Sequence, residues 1–273
     1  MLIYPEFDPV ALQLGPVEIF GRELGPILVH WYGLMYVVGF IAGWWLARRR
    51  AAAPGSTWKP VDVDDVIFFA AIGVIAGGRL GWVLFYGLEE FLADPLMLFR
   101  VWDGGMSFHG GLAGVMIAVA WFARRRGRKV ADVFDFMAPL PAIGLFAGRV
   151  GNFINGELWG KPTDVPWGFL VGGDVRHPTQ LYEAALEGLV LFALIWWFTS
   201  KPRPRLAPAG LFLVAYAVFR IFVEFLRLPD ANIGYLAFGW LTMGQLLSFI
   251  VLIAGIAMLA IAWRRGEPSG NYA

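Results

Sequence analysis

Long apolar stretches dominate this 273-residue chain. A helix that crosses the hydrocarbon core of a bilayer needs about 20 mostly apolar residues, and seven stretches approach this length. Hydrophobic residues make up 58% of the chain and charged residues only 16%, whereas soluble domains carry roughly 25% charged residues. The sequence therefore predicts an all-α integral membrane protein, one domain (residues 1–273) built as a seven-helix transmembrane bundle. The predicted spans are residues 28–47, 65–86, 108–123, 133–150, 180–199, 209–228 and 241–263.

The basic residues of the loops predict the orientation of this bundle. Most of the 22 Lys and Arg residues follow the first, third, fifth and seventh predicted spans. Short loops rich in Lys and Arg face the cytoplasm, so we expect the N-terminus outside and the C-terminus inside. No cleavable signal peptide is expected. The longer loops on the outer side, which contain many Gly, Pro and Trp residues, predict an ordered cap with a site beneath it; these loops are residues 87–107, 151–179 and 229–240.

Charged residues are energetically costly within an apolar span, and the sixth span contains several. An arginine in hydrocarbon costs at least ~2.5–3.5 kcal/mol. Tyr216, Arg220, Glu224 and Arg227 follow the spacing i, i+4, i+8, i+11, which places them on one helix face. Two arginines against one glutamate leave positive charge over, so this face is predicted to bind an anionic ligand. The alternative is an internal Arg220–Glu224 ion pair that only locks the bundle.

A second arginine, Arg149, lies at the outer end of the fourth span within GRVGNFINGELWG (148–160). Its planar guanidinium can bind a phosphate through two N–H groups, and neighbouring glycines allow close approach of a ligand. We interpret this segment as a phosphate cradle; the alternative is an arginine that only reaches the outer headgroups. The polar residues that follow Arg149 are Asn152, Asn155 and Glu157.

Other polar residues allow more than one interpretation. His109 opens the third span in SFHGG (107–111) and is either a base, an orienting group or a structural residue. Tyr32 and Tyr36 fit an interfacial aromatic belt. A pair of glutamates with i, i+4 spacing in the fifth span either neutralises the arginines or joins the site, and Arg79 is left unassigned; these glutamates are Glu183 and Glu187.

The composition excludes several kinds of chemistry. There are no cysteines, which excludes disulfides, a cysteine nucleophile and thiolate metal sites; any thiol must come from a substrate. No catalytic-triad, HExxH, Walker or Rossmann pattern occurs in a workable context. No histidines and carboxylates have metal-ligand spacing. We therefore expect chemistry without metal or cofactor, based on arginine electrostatics and one base.

Five segments resemble those of bacterial prolipoprotein diacylglyceryl transferases. They extend from the first span to near the seventh and keep the order of the family's motifs. The 13-residue run 148–160 is the most specific of them. The segments are Tyr32–Gly33, HGG (109–111), GRVGNFINGELWG (148–160), HPTQLYEA (177–184) and FRIFVEFLRLPD (219–230).

This resemblance implies a reaction and a location. The reaction is transfer of the sn-1,2-diacylglyceryl group from phosphatidylglycerol to the lipobox cysteine of a prolipoprotein signal peptide, with release of glycerol phosphate. The location is the bacterial inner membrane, with membrane lipids as further partners and no nucleic acid. Arg149 and Arg220 would hold the lipid phosphate and His109 would be the candidate base. The remaining substrate-binding positions would be Asn152, Glu157, Gly160, Tyr32, Tyr216, Glu224 and Arg227.

Two other functions would use the same arginines. A membrane lipid phosphatase or headgroup transferase would attack phosphorus instead of carbon. An anionic-lipid transporter would place its site at the midplane between clear repeats. The motif-rich segments of this chain are predicted near the outer surface, and the only internal similarity, AGGRLG against AGRVG, is short.

Overall fold

The computed structural model describes residues 1–19, 22–229 and 232–271. Asp230, which ends the 219–230 segment, and residue 231 of the third predicted outer loop lie outside the described residues, as do the last two residues of the chain. The described part is mostly helical, and it forms two compact units. The first unit contains Met1–Trp45 and Met137–Pro268; the second contains Leu46–Phe136 and Ser269–Ala273.

The helices lie close to the predicted spans. The fourth predicted span is a pair of helices bent by 46°, and the fifth contains a π-helical segment, Ala184–Val190, between two α-helices. The helices are α1 (Trp31–Ala51), α2 (Pro60–Phe85), α3 (Leu88–Ala93), α4 (Phe108–Arg125), α5 (Val130–Met137), α6 (Pro141–Ile154), α7 (Thr179–Glu183), α8 (Leu191–Phe198), α9 (Ala207–Glu224) and α10 (Met243–Arg265).

Within the described residues, four helical stretches are long and apolar enough to cross a membrane by length and composition. They are Pro60–Phe85, Thr179–Phe198, Ala207–Glu224 and Met243–Arg265, and the bent pair α5 and α6 makes a fifth if it counts as one span. Little of the most apolar part of α10 is buried, as expected of a helix whose side chains face lipid instead of water. The chain is therefore a multi-pass membrane protein. Aromatic residues, glycines and terminal arginines lower the hydropathy of α1 and α4.

The chain before α1 forms strands, so the prediction of an all-α fold was wrong there. The first predicted span begins at residue 28, but Ile27–His30 is a strand, β5, paired antiparallel with β2 (Val10–Leu14). Apolar content alone does not distinguish a strand from the first turn of a helix, and the partner strand decides. The described residues contain three further strand pairs: β3 (Val17–Ile19) with β4 (Arg22–Leu24), β1 (Leu2–Ile3) with β6 (Phe169–Val171), and β6 with β7 (Asp174–Arg176).

Glycines bring α2 and α4 together in the second unit. A Cβ added at Gly73 would lie 2.6 Å from the carbonyl oxygen of Gly114, and one added at Gly114 would overlap the carbonyl oxygen of Gly73. Gly77 and Gly110 face each other in the same way. Small residues permit such close backbone approach in membrane helices. In contrast, Gly148 has open space at its Cβ position.

The helices of the first unit pack around a small apolar core that leaves room for polar side chains between them. Ala142 of α6, Leu191 of α8 and Ala215 of α9 belong to this core. Helices α9 and α10 approach closely at Gly210 and Gly255, where an added Cβ would meet backbone atoms at 3.1 and 2.9 Å respectively. Packing of α6, α8 and α9 on this core brings Arg149 of α6 and Arg220 of α9 close to the two glutamates that precede α8, Glu183 and Glu187.

Candidate functional site

One buried carboxylate, that of Glu183, joins three arginines in the first unit. Its Oε2 lies 3.1 Å from Nε of Arg149 on α6, and its Oε1 lies 2.9 Å from Nη1 of Arg227. Nη1 of Arg220, on α9, also donates to Oε1. Glu183 is fully buried, so burial makes these ion pairs strong and makes the loss of either partner costly. Glu183 is therefore the centre of the cluster.

A second carboxylate, that of Glu224, forms ion pairs with both Arg220 and Arg227. Nη2 of Arg220 lies 2.8 Å from Oε2 of Glu224, and Nε of Arg227 lies 3.4 Å from the same oxygen. The hydroxyl of Thr242, which caps the start of α10, donates to Oε1 at 2.8 Å. The Arg220–Glu224 pair expected from the i, i+4 spacing is thus present.

A third carboxylate, Glu187, faces the arginines at longer range. Its Oε2 lies 3.9 Å from Nη2 of Arg149 and its Oε1 lies 4.0 Å from Nη1 of Arg220. Three arginines are thus matched by three glutamates, and the predicted surplus of positive charge was wrong. That prediction counted only the residues of one helix face, whereas two of the three carboxylates come from the neighbouring chain segment.

Two of the three guanidinium nitrogens of Arg149 have only distant partners. Its Nε is paired with Glu183, but Nη1 donates to Oδ1 of Asn152 at 3.4 Å and Nη2 has its carboxylate at 3.9 Å. Side-chain exposure is 20% for Arg149, against 14% for Arg220 and 10% for Arg227. The guanidinium of Arg149 is therefore the one that has both surface access and N–H groups to offer an anion.

Asn152 and Glu157 form a short chain of hydrogen bonds behind Arg149. Nδ2 of Asn152 donates to Oε1 of Glu157 at 2.8 Å, which leaves Oδ1 of Asn152 to accept from Arg149. Nε2 of the buried Gln180 donates to the backbone oxygen of Glu157. These bonds orient the amide of Asn152, so its oxygen and not its NH₂ group faces the arginine.

Gly160 occupies a position that only glycine fits. An added Cβ would lie 2.6 Å from the carbonyl oxygen of Leu226 and 2.6 Å from Cγ2 of Thr179. The backbone there bridges to Arg227, and the N–H of Lys161 donates to the same Leu226 oxygen at 2.8 Å. Gly160 therefore fixes the loop after α6 against the end of α9, next to the arginine cluster.

The predicted tyrosines lie in the same unit as the arginines. Tyr32 packs over Gly151, where an added Cβ would be 3.0 Å from its Cδ2, and its hydroxyl is 3.0 Å from that of Tyr36. Tyr216 is one turn before Arg220 on α9 and stacks with Phe212 at a centroid distance of 6.2 Å. Tyr216 thus lies on the helix that carries Arg220, and Tyr32, on α1, packs against the helix that carries Arg149.

His109 belongs to the second compact unit. It lies in the first turn of α4, next to the N-cap Ser107, whose hydroxyl oxygen accepts from the N–H of Gly110 at 3.2 Å. The imidazole is exposed, and it contacts the ring of Phe108 edge-on. Exposure leaves its nitrogens accessible to a substrate group.

Arg79, which the sequence left unassigned, has a structural role. It is buried and donates to backbone carbonyl oxygens of the loop before α4, at 3.1 Å to Gly105 and 3.4 Å to Leu98, with further bonds to Met97 and Gly104. Its guanidinium also lies 5.2 Å from the ring centre of Trp82. Arg79 therefore folds this loop and has little left for a ligand.

His177, which lies between β7 and α7, is also structural. Burial lowers the pKa of its imidazole below the usual value, and its Nδ1 lies 3.2 Å from the hydroxyl of Tyr182.

In the described part of the chain no group of three His, Asp or Glu side chains is arranged to hold a metal ion.

The residue that sequence reasoning weighted too little is Glu183. It lies in an apolar span, four residues before another glutamate and within the HPTQLYEA segment (177–184). A buried carboxylate of this kind requires a cationic partner, so the signal was present. Its spacing on one helix did not reveal that three arginines from two other segments converge on it.

Comparison with known proteins gives one consistent result. A family model described as prolipoprotein diacylglyceryl transferase matches residues 20–261. Three similar curated proteins are named phosphatidylglycerol–prolipoprotein diacylglyceryl transferase. They come from Methylococcus capsulatus (56% identity, 97% of this chain and 99% of the relative), Nitratidesulfovibrio vulgaris (54%, 100% of both) and Ectopseudomonas mendocina (52%, 99% of both).

Proposed function

The chain belongs to the prolipoprotein diacylglyceryl transferase family, and on that premise we propose that it carries out the corresponding transfer. The donor is phosphatidylglycerol and the acceptor is the lipobox cysteine thiol of a prolipoprotein signal peptide. The products are the diacylglyceryl thioether and glycerol phosphate. This reaction requires a membrane site that binds an anionic phosphate and stabilises it as it leaves.

The observation that carries the proposal is the state of the Arg149 guanidinium. Two of its nitrogens have only distant partners, at 3.4 and 3.9 Å, while Nε lies 3.1 Å from the buried carboxylate of Glu183. A phosphate that accepts two parallel N–H···O bonds from an arginine in a poorly hydrated site gains strong, oriented hydrogen bonds. We assign phosphate binding to Arg149 with Arg220 as the second arginine.

The chemistry follows from this placement. The thiol sulfur attacks the glyceryl carbon that is bonded to the phosphate oxygen, and that carbon–oxygen bond breaks with its electron pair remaining on the phosphate. Negative charge on the phosphate grows in the transition state, so arginines that contact it lower the barrier. The thiol, with an ordinary pKa of about 8.5, must lose its proton; His109 is the proposed base that accepts it.

The other site residues would support these groups. Asn152 and Glu157 keep Arg149 oriented through their hydrogen bonds, and Glu224 with Arg227 does the same for Arg220. Gly160, which admits no side chain, keeps the loop at the cluster. Tyr32 and Tyr216 are proposed to line the substrate site.

We further propose one transmembrane domain of seven spans in the bacterial inner membrane. The outer loops would form the periplasmic cap, and the N-terminus would lie outside. The helices lie near all seven predicted spans, and α1, α4 and α10 end with basic residues, as cytoplasmic helix ends do. Reporter fusions after residues 51, 125 and 265 should report the cytoplasm; a periplasmic signal at any of them would contradict this topology.

The test of function is transfer by purified protein with phosphatidylglycerol and a lipobox peptide. The peptide should gain the mass of the diacylglyceryl group without release of inorganic phosphate. Phosphate release would favour a lipid phosphatase, and lipid movement between leaflets without any peptide product would favour a transporter. Neither outcome is compatible with the proposed reaction.

Variants then test the roles of individual residues. Arg149→Ala and Arg220→Ala should each lower the transfer rate about 10²- to 10³-fold, the effect of removing one transition-state donor. Arg176→Ala, which removes an outer-loop arginine paired only with Asp174 at 2.8 Å, is the matched control. A His109→Ala variant with near-normal transfer at neutral pH would remove the base role.

A further inference from the structure

Glu187 is a buried carboxylate that the proposed reaction does not use. It is fully buried, yet neither of its oxygens accepts a hydrogen bond from any described part of the chain. Its nearest cationic atoms are Nη2 of Arg149 at 3.9 Å and Nη1 of Arg220 at 4.0 Å. Glu187 therefore lies near both arginines without occupying their N–H groups.

The backbone holds Glu187 in this position. It lies in the middle of the π-helical segment Ala184–Val190, and such segments, which carry one extra residue per turn, are frequent at functional sites. The adjacent Gly188 packs directly on α6, where an added Cβ would lie 2.6 Å from Cβ of Phe146. The turn that carries Glu187 is thus pinned against the helix that carries Arg149.

The three carboxylates of the cluster differ in how they engage the arginines. Oε1 of Glu183 accepts hydrogen bonds from Nη1 of Arg220 and of Arg227, and Oε2 of Glu224 lies 2.8 Å from Nη2 of Arg220, so these two carboxylates engage nitrogens that a phosphate would need. Glu187 leaves those donors free and only offsets their charge. If its charge were removed, three arginines would face two carboxylates, and the site would gain one net positive charge.

We propose that Glu187 is a positioning residue that limits how tightly the arginine cluster holds phosphate. This inference rests on the proposed function. Binding that is equally tight for the substrate and the transition state does not raise the turnover rate, and release of product limits many enzymes. Glycerol phosphate carries more negative charge than the lipid donor, so an uncompensated cluster would retain it. Glu187 offsets this attraction while Arg149 and Arg220 keep their N–H groups for the phosphate.

The experiment compares Glu187→Gln, which removes the charge and preserves the shape, with Glu187→Asp, which keeps the charge. The probe is glycerol phosphate, whose dissociation constant is measured with each purified variant in nanodiscs. A phosphate bound on the far side of the arginines would lie roughly 7 Å from Glu187, so at an effective dielectric constant of about 20 the Gln variant should bind about 50-fold more tightly. Its KM for phosphatidylglycerol and its kcat should both fall.

The controls separate this role from a merely structural one. Glu187→Asp should stay within about threefold of wild type, since the charge is retained. Asp174→Asn removes one carboxylate from the outer loop and should not change glycerol phosphate affinity. Should Glu187→Gln not be recovered folded, Glu187→Met, which is also neutral and of similar length, takes its place.

Unchanged or weaker glycerol phosphate binding by the neutral variant would overturn the proposal. This result is independent of the transfer assay. If wild-type protein bound glycerol phosphate but transferred no diacylglyceryl group, the proposed function would fail while the role of Glu187 in phosphate affinity was still decided by the same comparison.

Discussion

Replacement of Glu183 by Gln is the most direct test of the architecture of the arginine cluster. The side chain keeps its size, but its charge is lost at the point where Arg149, Arg220 and Arg227 converge. Glu183 has no exposure to solvent, so water cannot take over its role. The arginines would remain in place without their shared counter-charge.

The magnitude follows from what each arginine retains. Arg220 keeps Glu224 at 2.8 Å and Arg227 keeps it at 3.4 Å, whereas Arg149 retains only Glu187 at 3.9 Å. Breaking a buried ion pair by removal of one partner costs about 3–5 kcal/mol. Because two of the three arginines keep a carboxylate, we expect the lower end, about 3 kcal/mol. At roughly 2–4 °C per kcal/mol for a chain of this size, the thermal midpoint should fall by about 6–12 °C.

The assay is thermal unfolding of purified wild type, Glu183→Gln and Glu6→Gln in the same detergent or nanodisc. Glu6 is exposed, so its replacement removes an equal charge without breaking a buried pair. A midpoint for Glu183→Gln within about 2 °C of both references would correspond to less than about 1 kcal/mol and would refute the view that Glu183 holds the cluster together.

Three further predictions address the scaffold. Gly114→Ala should separate α2 from α4 and reduce folded yield, because the added methyl overlaps the Gly73 carbonyl, whereas Gly43→Ala, with open space at its Cβ position, should be tolerated; thermal unfolding compares the two. Arg79→Met should open the loop before α4 to proteolysis, since its backbone oxygens lose their buried donor; cleavage at the wild-type rate would contradict this. Burial lowers the pKa of His177 in the folded protein, so the unfolded state binds more protons and stability should fall as pH drops below about 6.5, the unfolded pKa; His177→Gln should flatten that part of the stability–pH curve, and an unchanged slope would exclude this histidine as its source.

The helices were largely predictable because a span through lipid must satisfy its backbone hydrogen bonds internally and expose apolar side chains. That requirement leaves a run of about 20 apolar residues in the sequence, and α2, α9 and α10 lie close to the predicted ranges. The strands before Trp31 were not predictable, since pairing of β5 with β2 depends on a partner distant along the chain and not on the composition of residues 27–30.

For the charged residues in the apolar spans, too, one part of the arrangement was predictable from the sequence and another part was not. Helical periodicity by itself determined that Arg220 and Glu224 share a face, since that spacing is a property of one helix. The prediction that Arg227 lies on the same helix was wrong, because α9 ends at Glu224 and the backbone of Arg227 bridges to Gly160. Only the tertiary structure decided how their charge is balanced: Glu183 belongs to another helix, 37 residues before Arg220. Ion pairing depends on distance through space, and the packing of helices on their apolar cores sets that distance. The same packing places Glu187 near two arginines without a hydrogen bond to either, and converts an apparent surplus of positive charge into a balanced site.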